Sequence, residues 1–516
     1  MPKIVSSSQK FATTPQVSIN RSTFDRSSRL LTTFDSDYLV PIFCDEVLPG
    51  DTFNLTGNYF GRMSTPINPV MSPIFLDTFY FFVPMRLVWD NAKKFFGEQE
   101  DPGDSIDYTI PTYTNRTVNE TSTLLDYLGL PYGTGVDFNV LPVRAYWLIF
   151  DEWFRDQNLQ NSAKILRTDS GSATISNSTD YTWNQITKRG KRHDYFTSCL
   201  PWTQKGDPVA LPLGTTAEVQ MAPSTSMLMQ DATNTSNYVD IVEVGNDVLS
   251  SVSAAGAGNV TVDLANATGA TINTLRQSFQ IQKFLERDAR GGTRYVEKVL
   301  SHFGVRSSDA RLQRPEYLGG GSTVVNINPV PQTGQTATTP QGNLAAFGTV
   351  SDKSGFTKSF EEHGYIIGLA NVRADLTYSQ GLHKMWSRST QYDFYFPTFA
   401  HLGEQSVLNK EIYHQGTSAD EDVFGYQERW SEYRYRNSQI TGKFRPAATS
   451  SLDPWHLSEE FTSLPTLSST FIQSNTPMDR VLAVTTEPEF IMDIYFDLKC
   501  TRPMPTYSPP GLIDHF

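Results

Sequence analysis

Two runs of strict alternation, one near each end of the chain, constrain this sequence more than any other feature. Thr52, Asn54, Thr56 and Asn58 alternate with Phe53, Leu55, Gly57 and Tyr59. Far downstream, Phe490, Met492, Ile494, Phe496 and Leu498 alternate with Glu489, Ile491, Asp493, Tyr495 and Asp497. Successive side chains of a strand point to opposite faces, so each run predicts a strand with one face in a core. Upstream of the first run, the apolar stretch Leu39 to Val47 leads into Pro49-Gly50, a pair that suits a type II turn and predicts a hairpin. Ile74 to Val83 is half aromatic and otherwise largely aliphatic, and reads as a strand buried on both faces; a further strand is expected around Gly364 to Leu376. Strands from both chain ends, with other material between them, imply an antiparallel sandwich closed by its own termini.

Helices are expected as insertions. Pro84 and Gly97 bracket one, with Val88, Ala92, Phe95 and Phe96 on a face. Pro142 opens a second, striped by Tyr146, Ile149, Phe150 and Trp153. A third runs near Gln277 to Asp288, and Val296, Val299, Leu300 and Phe303 mark a fourth that stops at Gly304. Two stretches read as loops: 206–275, rich in Ser, Thr, Ala, Asn and Gly, and 319–355, with GGGST and NPVPQTGQTATTP. Residues 1–31 read as a basic N-terminal arm, carrying Lys3, Lys10, Arg21, Arg26 and Arg29 against Asp25.

Composition narrows the class. Hydrophobic residues at 38% supply a core at 516 residues, so disorder throughout is excluded. Three cysteines, Cys44, Cys199 and Cys500, make neither a disulfide framework nor a metal-ligand spacing, which predicts folding in a reducing compartment. The start MPKIVSSSQKF has no apolar core of a signal peptide. Near the middle, the longest apolar run, Ala145 to Phe150, falls far short of the ~20 residues needed to span a bilayer, so no membrane insertion is expected. The net charge of -13 argues against a dedicated nucleic-acid-binding module. Its distribution says more: 206–275 holds seven acids and no Lys or Arg, over half of the imbalance.

Catalytic signatures are missing. The sequence contains no phosphate-binding or dinucleotide-binding glycine loop, no H-E-x-x-H and no G-x-S-x-G. His363 beside Glu361 and Glu362, and the pair Asp493 and Asp497, read as solvated charges on strands. Arg290-Gly291-Gly292 reads as a break between helices. No catalytic residue, metal or cofactor is expected. Three basic regions stand out: the arm (Arg21, Arg26, Arg29), a loop with Lys188, Arg189, Lys191 and Arg192, and the stretch from Tyr426 to Arg445. The last interleaves Arg429, Arg434, Arg436, Lys443 and Arg445 with Trp430, Tyr433, Tyr435 and Phe444. That combination suits a subunit interface or internal packing first, and single-stranded nucleic acid second.

Several long segments carry a resemblance. FDSDYLVPIFCDEVLPGDTFNLTGNYFGRMSTP and FLDTFYFFVPMRLVW resemble the opening of microvirus major capsid proteins. LERDARGGTRYVEKVLSHFGVRSSDARLQRPEYLGGG, TPQGNLAAFG, ERWSEYRYRNSQITGKFR and RPMPTYSPPGLIDHF resemble the gokushovirus branch, small icosahedral single-stranded DNA bacteriophages. The likeness runs from about residue 20 to the C-terminus, except for 206–275. It implies a mainly β protein, a single eight-stranded antiparallel jelly roll with large loop and helical insertions. It implies a non-enzymatic major capsid protein that self-assembles into a T=1 icosahedral shell around circular single-stranded DNA. The implied partners are the chain itself, the DNA, an internal scaffolding protein, a DNA pilot protein, a small basic DNA-packing protein and a host cell-surface receptor. The implied location is the virion, with assembly in the host cytoplasm.

On that basis the jelly-roll domain is expected over 32–516, with a surface protrusion at 206–275, a helical insertion at 276–318 and a long loop at 319–355. The three basic regions are expected to face the interior and its DNA, or subunit seams. Lys283, Arg287, Arg290, Arg294 and Lys298 are expected at inter-subunit contacts. In the protrusion, Tyr238, Val239 and Ile241 are expected on one strand and Val260 and Val262 on its partner, clustered at a three-fold axis for host attachment. A competing reading from another class is a β-sandwich glycan-binding or glycoside-hydrolase protein, which would demand converging carboxylates that the sequence does not display.

Overall fold

The alternating run at Thr52 becomes the centre of a sheet whose neighbours come from distant parts of the chain. The computed structural model describes residues 20–172, 174–209, 219–220, 227–230, 238–244, 247–252, 261–262, 272–306, 308–309, 313–337 and 340–507. It divides into two units, the first built from 1–201, 294–296 and 305–516 and the second from 202–293 and 297–304.

The first unit is an antiparallel sandwich. Its strands are β1 (Ser22–Asp25), β2 (Ser28–Phe34), β3 (Val40–Val47), β4 (Thr52–Met63), β5 (Ile74–Pro84), β6 (Glu316–Val324), β7 (Asn326–Pro331), β8 (Leu344–Ser359), β9 (Gly364–Ala374) and β10 (Phe490–Arg502). One sheet runs β1-β10-β4-β8-β7, with β2 pairing further along the same edge of β10; the other runs β6-β5-β9-β3. The pairing is nested. β2 meets β10, β3 meets β9, β4 meets β8 and β5 meets β6, as in a long hairpin folded over on itself. Registers Met63↔Phe490 and Leu55↔Leu498 join strands more than 400 residues apart.

Alternation decides what each strand buries. Phe53, Leu55 and Tyr59 of β4 and Met492, Ile494 and Phe496 of β10 face Leu76, Tyr80 and Phe82 of β5 and Ile366 and Val372 of β9 across the interior. The other face of β5 and β9 is also covered. Phe81, Val83, Tyr365 and Ile367 pack with Tyr146, Trp147 and Phe150 from the helix α1 (Leu141–Ile149) and the π-helical turn that follows it. The aromatic run Ile74 to Val83 is therefore buried on both faces, as expected. At the hairpin, Gly50 takes φ +87° while Asp51 N donates to Leu48 O at 3.0 Å, which is the type II turn.

Three expectations are corrected. The stretch 319–355 is not a long loop: it supplies most of β6 and β8 and all of β7. Its glycines hid the strand, because a Cβ on Gly320 would lie 2.0 Å from Thr78 O of β5. Residues 20–31 are not a free arm, since β1 and the start of β2 add to β10; residues 1–19 lie outside the described residues. The helix expected from Pro84 to Gly97 is two short turns, Met85–Leu87 and Ala92–Phe95. Between them the buried Trp89 donates Nε1 to Asp169 at 2.6 Å, and Asn91 reaches the same carboxylate.

The second unit holds α2 (Ile272–Arg290), most of α3 (Tyr295–Phe303) and short strands. Gly292, at φ +90°, breaks the chain between the two helices, and Gly304, at φ +68°, ends α3. Asp288 ties the pair together through Lys298 Nζ at 2.9 Å and His302 Nε2 at 2.8 Å. The strand Tyr238–Val244 pairs with Met227–Gln230 and Asp247–Val252, not with the segment near Val262, which pairs instead with Val219–Gln220. Asp247 opposes Val244 directly, and pairing segments so near in sequence costs less chain entropy than pairing with the segment near Val262.

Candidate shell-forming and nucleic-acid-facing surfaces

The N-terminal cations act as cross-strand ties. Arg21 Nη2 donates to Gly50 O and, at 2.7 Å, to Thr52 Oγ1. Arg26 pairs with Asp45 of β3, and Arg29 with Asp493 of β10. Asp493 is held below the usual carboxylate range by its hydrogen bonds from Arg29. Sequence reading placed Asp493 beside Asp497 as plain surface charge; its partner comes from 464 residues away.

The Lys188 to Arg192 segment is no solvated loop. Lys188 Nζ donates to Asn475 Oδ1 at 2.7 Å and lies over the Tyr38 ring. Arg189 is bound to Asp77, Lys191 is buried against Glu459 at 3.0 Å, and Arg192 pairs with Asp375 at 2.9 Å. Backbone bridges at Lys188 and Gly190 stitch the segment between Tyr38 and Gln473. Local composition reads as solvent-exposed because the matching acids lie on β5, after β9, and near residue 459.

The stretch 426–445 divides in two. Trp430 is buried, at φ +68°, with Nε1 donating to Phe399 O at 2.9 Å. Arg429 stacks over that ring, and Arg434 pairs with Glu428. Tyr435, Arg436, Lys443 and Arg445 are exposed, and among the described residues the last three cations have no carboxylate in ion-pair reach. The structure adds neighbours that sequence reading missed. Trp386, Tyr392, Phe394, Tyr395 and Phe396 are all exposed, Trp386 by 71%. Tyr395 packs edge-on to Trp430 at 5.7 Å, and Arg388 sits 4.3 Å over Tyr433 while its Nη2 meets the Glu432 carboxylate at 3.0 Å. The run QYDFYFPTF at 391–399 was the available signal. A patch so rich in Tyr, Trp and Arg has the make-up of an interface centre.

Of the residues expected at inter-subunit contacts, Lys283, Arg287 and Arg290 lie on exposed positions of α2. Lys298 is engaged with Asp288. Arg294 donates to the carbonyls of Asp151 and Arg155, closing the end of the turn after α1. Of the residues expected in the protrusion, Tyr238, Val239, Ile241 and Val262 lie on the short strands described above; Val260 lies outside the described residues.

His363 stacks on Phe96 at 3.8 Å and Glu362 pairs with Arg86. Among the described residues no three His, Cys, Asp or Glu side chains converge as a metal site. No helix among them is long and apolar enough to cross a membrane.

A family model described as "Capsid protein (F protein)" matches residues 12–512. The chain belongs to this phage capsid-protein family. Its members have a structural role, not an enzymatic one, and the resemblance to gokushoviruses is borne out by three relatives. The capsid protein VP1 of Bdellovibrio phage phiMH2K is 48% identical, covering 98% of each chain. VP1 of Chlamydia phage 1 is 42% identical over 98% of this chain and 97% of its own, and VP1 of Spiroplasma virus 4 is 37% identical over 96% of each.

Proposed function

We propose that this major capsid protein builds a T=1 icosahedral shell around circular single-stranded DNA. The carrying observation is its likeness, along nearly the whole chain, to three phage capsid proteins. Counting β1 with β2 as one interrupted strand and β7 as an added edge, the nested pairing supports an eight-stranded jelly roll. The exposed aromatic patch around Trp386 and Tyr433 supplies a seam between copies. Arg436, Lys443 and Arg445, without a carboxylate partner among the described residues, face the genome in this reading. The 206–275 segment, without a cation, forms the outward protrusion at the three-fold axis and meets the host receptor, because it has nothing with which to hold phosphate. An internal scaffolding protein, a DNA pilot protein and a small basic packing protein complete the assembly in the host cytoplasm.

Electron microscopy of the purified full chain, co-expressed with the scaffolding protein, tests this. Round particles of uniform size are expected. A monomer that never assembles under those conditions would overturn it.

A further inference from the structure

We propose that a cavity of about 360 Å³ between the outer face of β5 and the turn after α1 holds one nucleotide of the enclosed strand, phosphate on three arginines and base against an aromatic wall. The proposal rests on the reading that the shell encloses single-stranded DNA. Phe79, Phe81, Trp153, Phe154 and Tyr317 form the wall, and Arg189, Arg192 and Arg373 the polar side. The volume falls in the range of small-ligand sites, which are mostly apolar with a few convergent polar groups.

The charges are out of balance in a way that an anion corrects. Asp77, buried on β5, accepts from Arg189 Nη1 at 2.5 Å and lies 3.4 Å from Arg373 Nε. One carboxylate therefore serves two guanidiniums that are themselves largely buried. Arg192 has its own carboxylate, Asp375, and the adjacent Lys191 has Glu459. Three guanidiniums thus share two carboxylates. Burial first, then the like charge of Arg189, pulls Arg373 down to about 9; burial does the same in direction to Arg189. Keeping like charges together out of water is costly without a further anion.

Unused donors point the same way. Arg189 and Arg192 each donate only through Nη1, and Arg373 only through Nη1 to Gly190 O. Among the described residues none of the three Nη2 groups has a protein acceptor; Nε of Arg192 is buried without one, and Nε of Arg373 has only the 3.4 Å ion-pair contact with Asp77. The guanidiniums are fixed in place by rings: Arg189 lies 4.7 Å over Phe79 and Arg192 3.9 Å over Phe75. Planar forks held in advance suit phosphate oxygens. Tyr317, packed on Phe81 and Trp153, offers a face on which a base can stack.

The full-length protein is to be titrated with fluorescent oligothymidylate and with an abasic strand of equal length, inorganic phosphate serving as competitor. Arg192→Gln is expected to weaken thymidylate binding ~10-fold, the value of one charge-assisted contact. Tyr317→Ala is expected to weaken thymidylate but not the abasic strand. Because a variant can fail to fold, bromodeoxyuridine oligonucleotides are also to be crosslinked to the unaltered protein and the peptides mapped. Crosslinks at Trp153 or Tyr317 support the site. Crosslinks confined to 429–445, or variants that bind as the parent does, overturn the pocket and leave the DNA reading intact. No binding of any strand overturns both readings.

Discussion

Glu432 lies inside the basic-aromatic stretch, yet its carboxylate is buried between Arg388 Nη2 at 3.0 Å and Gln405 Nε2 at 2.7 Å. Removing the cation leaves a buried charge without its ion-pair partner. Arg388→Ala should therefore lose about 3 kcal/mol or more in urea unfolding, while Lys443→Ala at an exposed site should stay within ~0.5 kcal/mol. Glu489 behaves differently. Burial, with Asp35 and Asp37 nearby, pushes its carboxyl up to about 7, against its hydrogen bonds from Ser36. A raised acid binds its proton more tightly in the folded state. It therefore favours folding at low pH, and this contribution fades as pH rises from the unfolded value near 4.5 through 7. Glu489→Gln keeps an acceptor for Ser36 N and should raise the melting temperature at pH 8 but not at pH 4. A parent and variant that melt alike at both values would refute the assignment.

Among the elements, β7 shows how an edge is kept from pairing further. It adds to β8 along Asn326–Pro331, and its Pro329 and Pro331 lack the N–H groups that another strand would use. Replacing both with Val should extend the open edge, and light scattering of the dilute subunit should show association that the parent does not. At the opposite edge, β1 and β2 cover β10 and are pinned by Arg26 to Asp45 and Arg29 to Asp493. Truncation through Phe34 uncovers β10 together with its inward residues. Loss of the soluble subunit is expected; truncation before Arg21, which leaves both strands in place, should preserve it.

For the whole molecule, nested pairing means that first and last strands must meet before the sandwich closes. Such non-local contact slows folding, so refolding in milliseconds to seconds is expected for the first unit, well behind helical proteins of similar stability. The same pairing uses no residue of 206–275. Deleting 215–268 with a short Gly/Ser bridge should leave a folded sandwich that assembles but attaches poorly to its host. Full infectivity after deletion would assign that segment no role in attachment, and failed assembly would make it a structural clamp.

The alternation of β4 and β10, the double burial of β5, the turn at Gly50 and the helices over 141–149, 272–290 and 295–303 were all determined by local pattern. Period two or 3.6, a proline and a glycine suffice where one face must leave water. Long, unusual segments likewise carried the family. What tertiary structure alone decided is which charges are spent. Lys191, Arg26 and Arg29 read alike with Arg436 and Lys443 along the chain. The carboxylates of the first three arrive from other strands and loops, and only folding shows which cations are already paired. The strands in 319–355 were hidden for a related reason: Gly320 leaves room for Thr78 of β5 and Gly355 for Leu55 of β4, and a side chain left out for a neighbour leaves no pattern of its own.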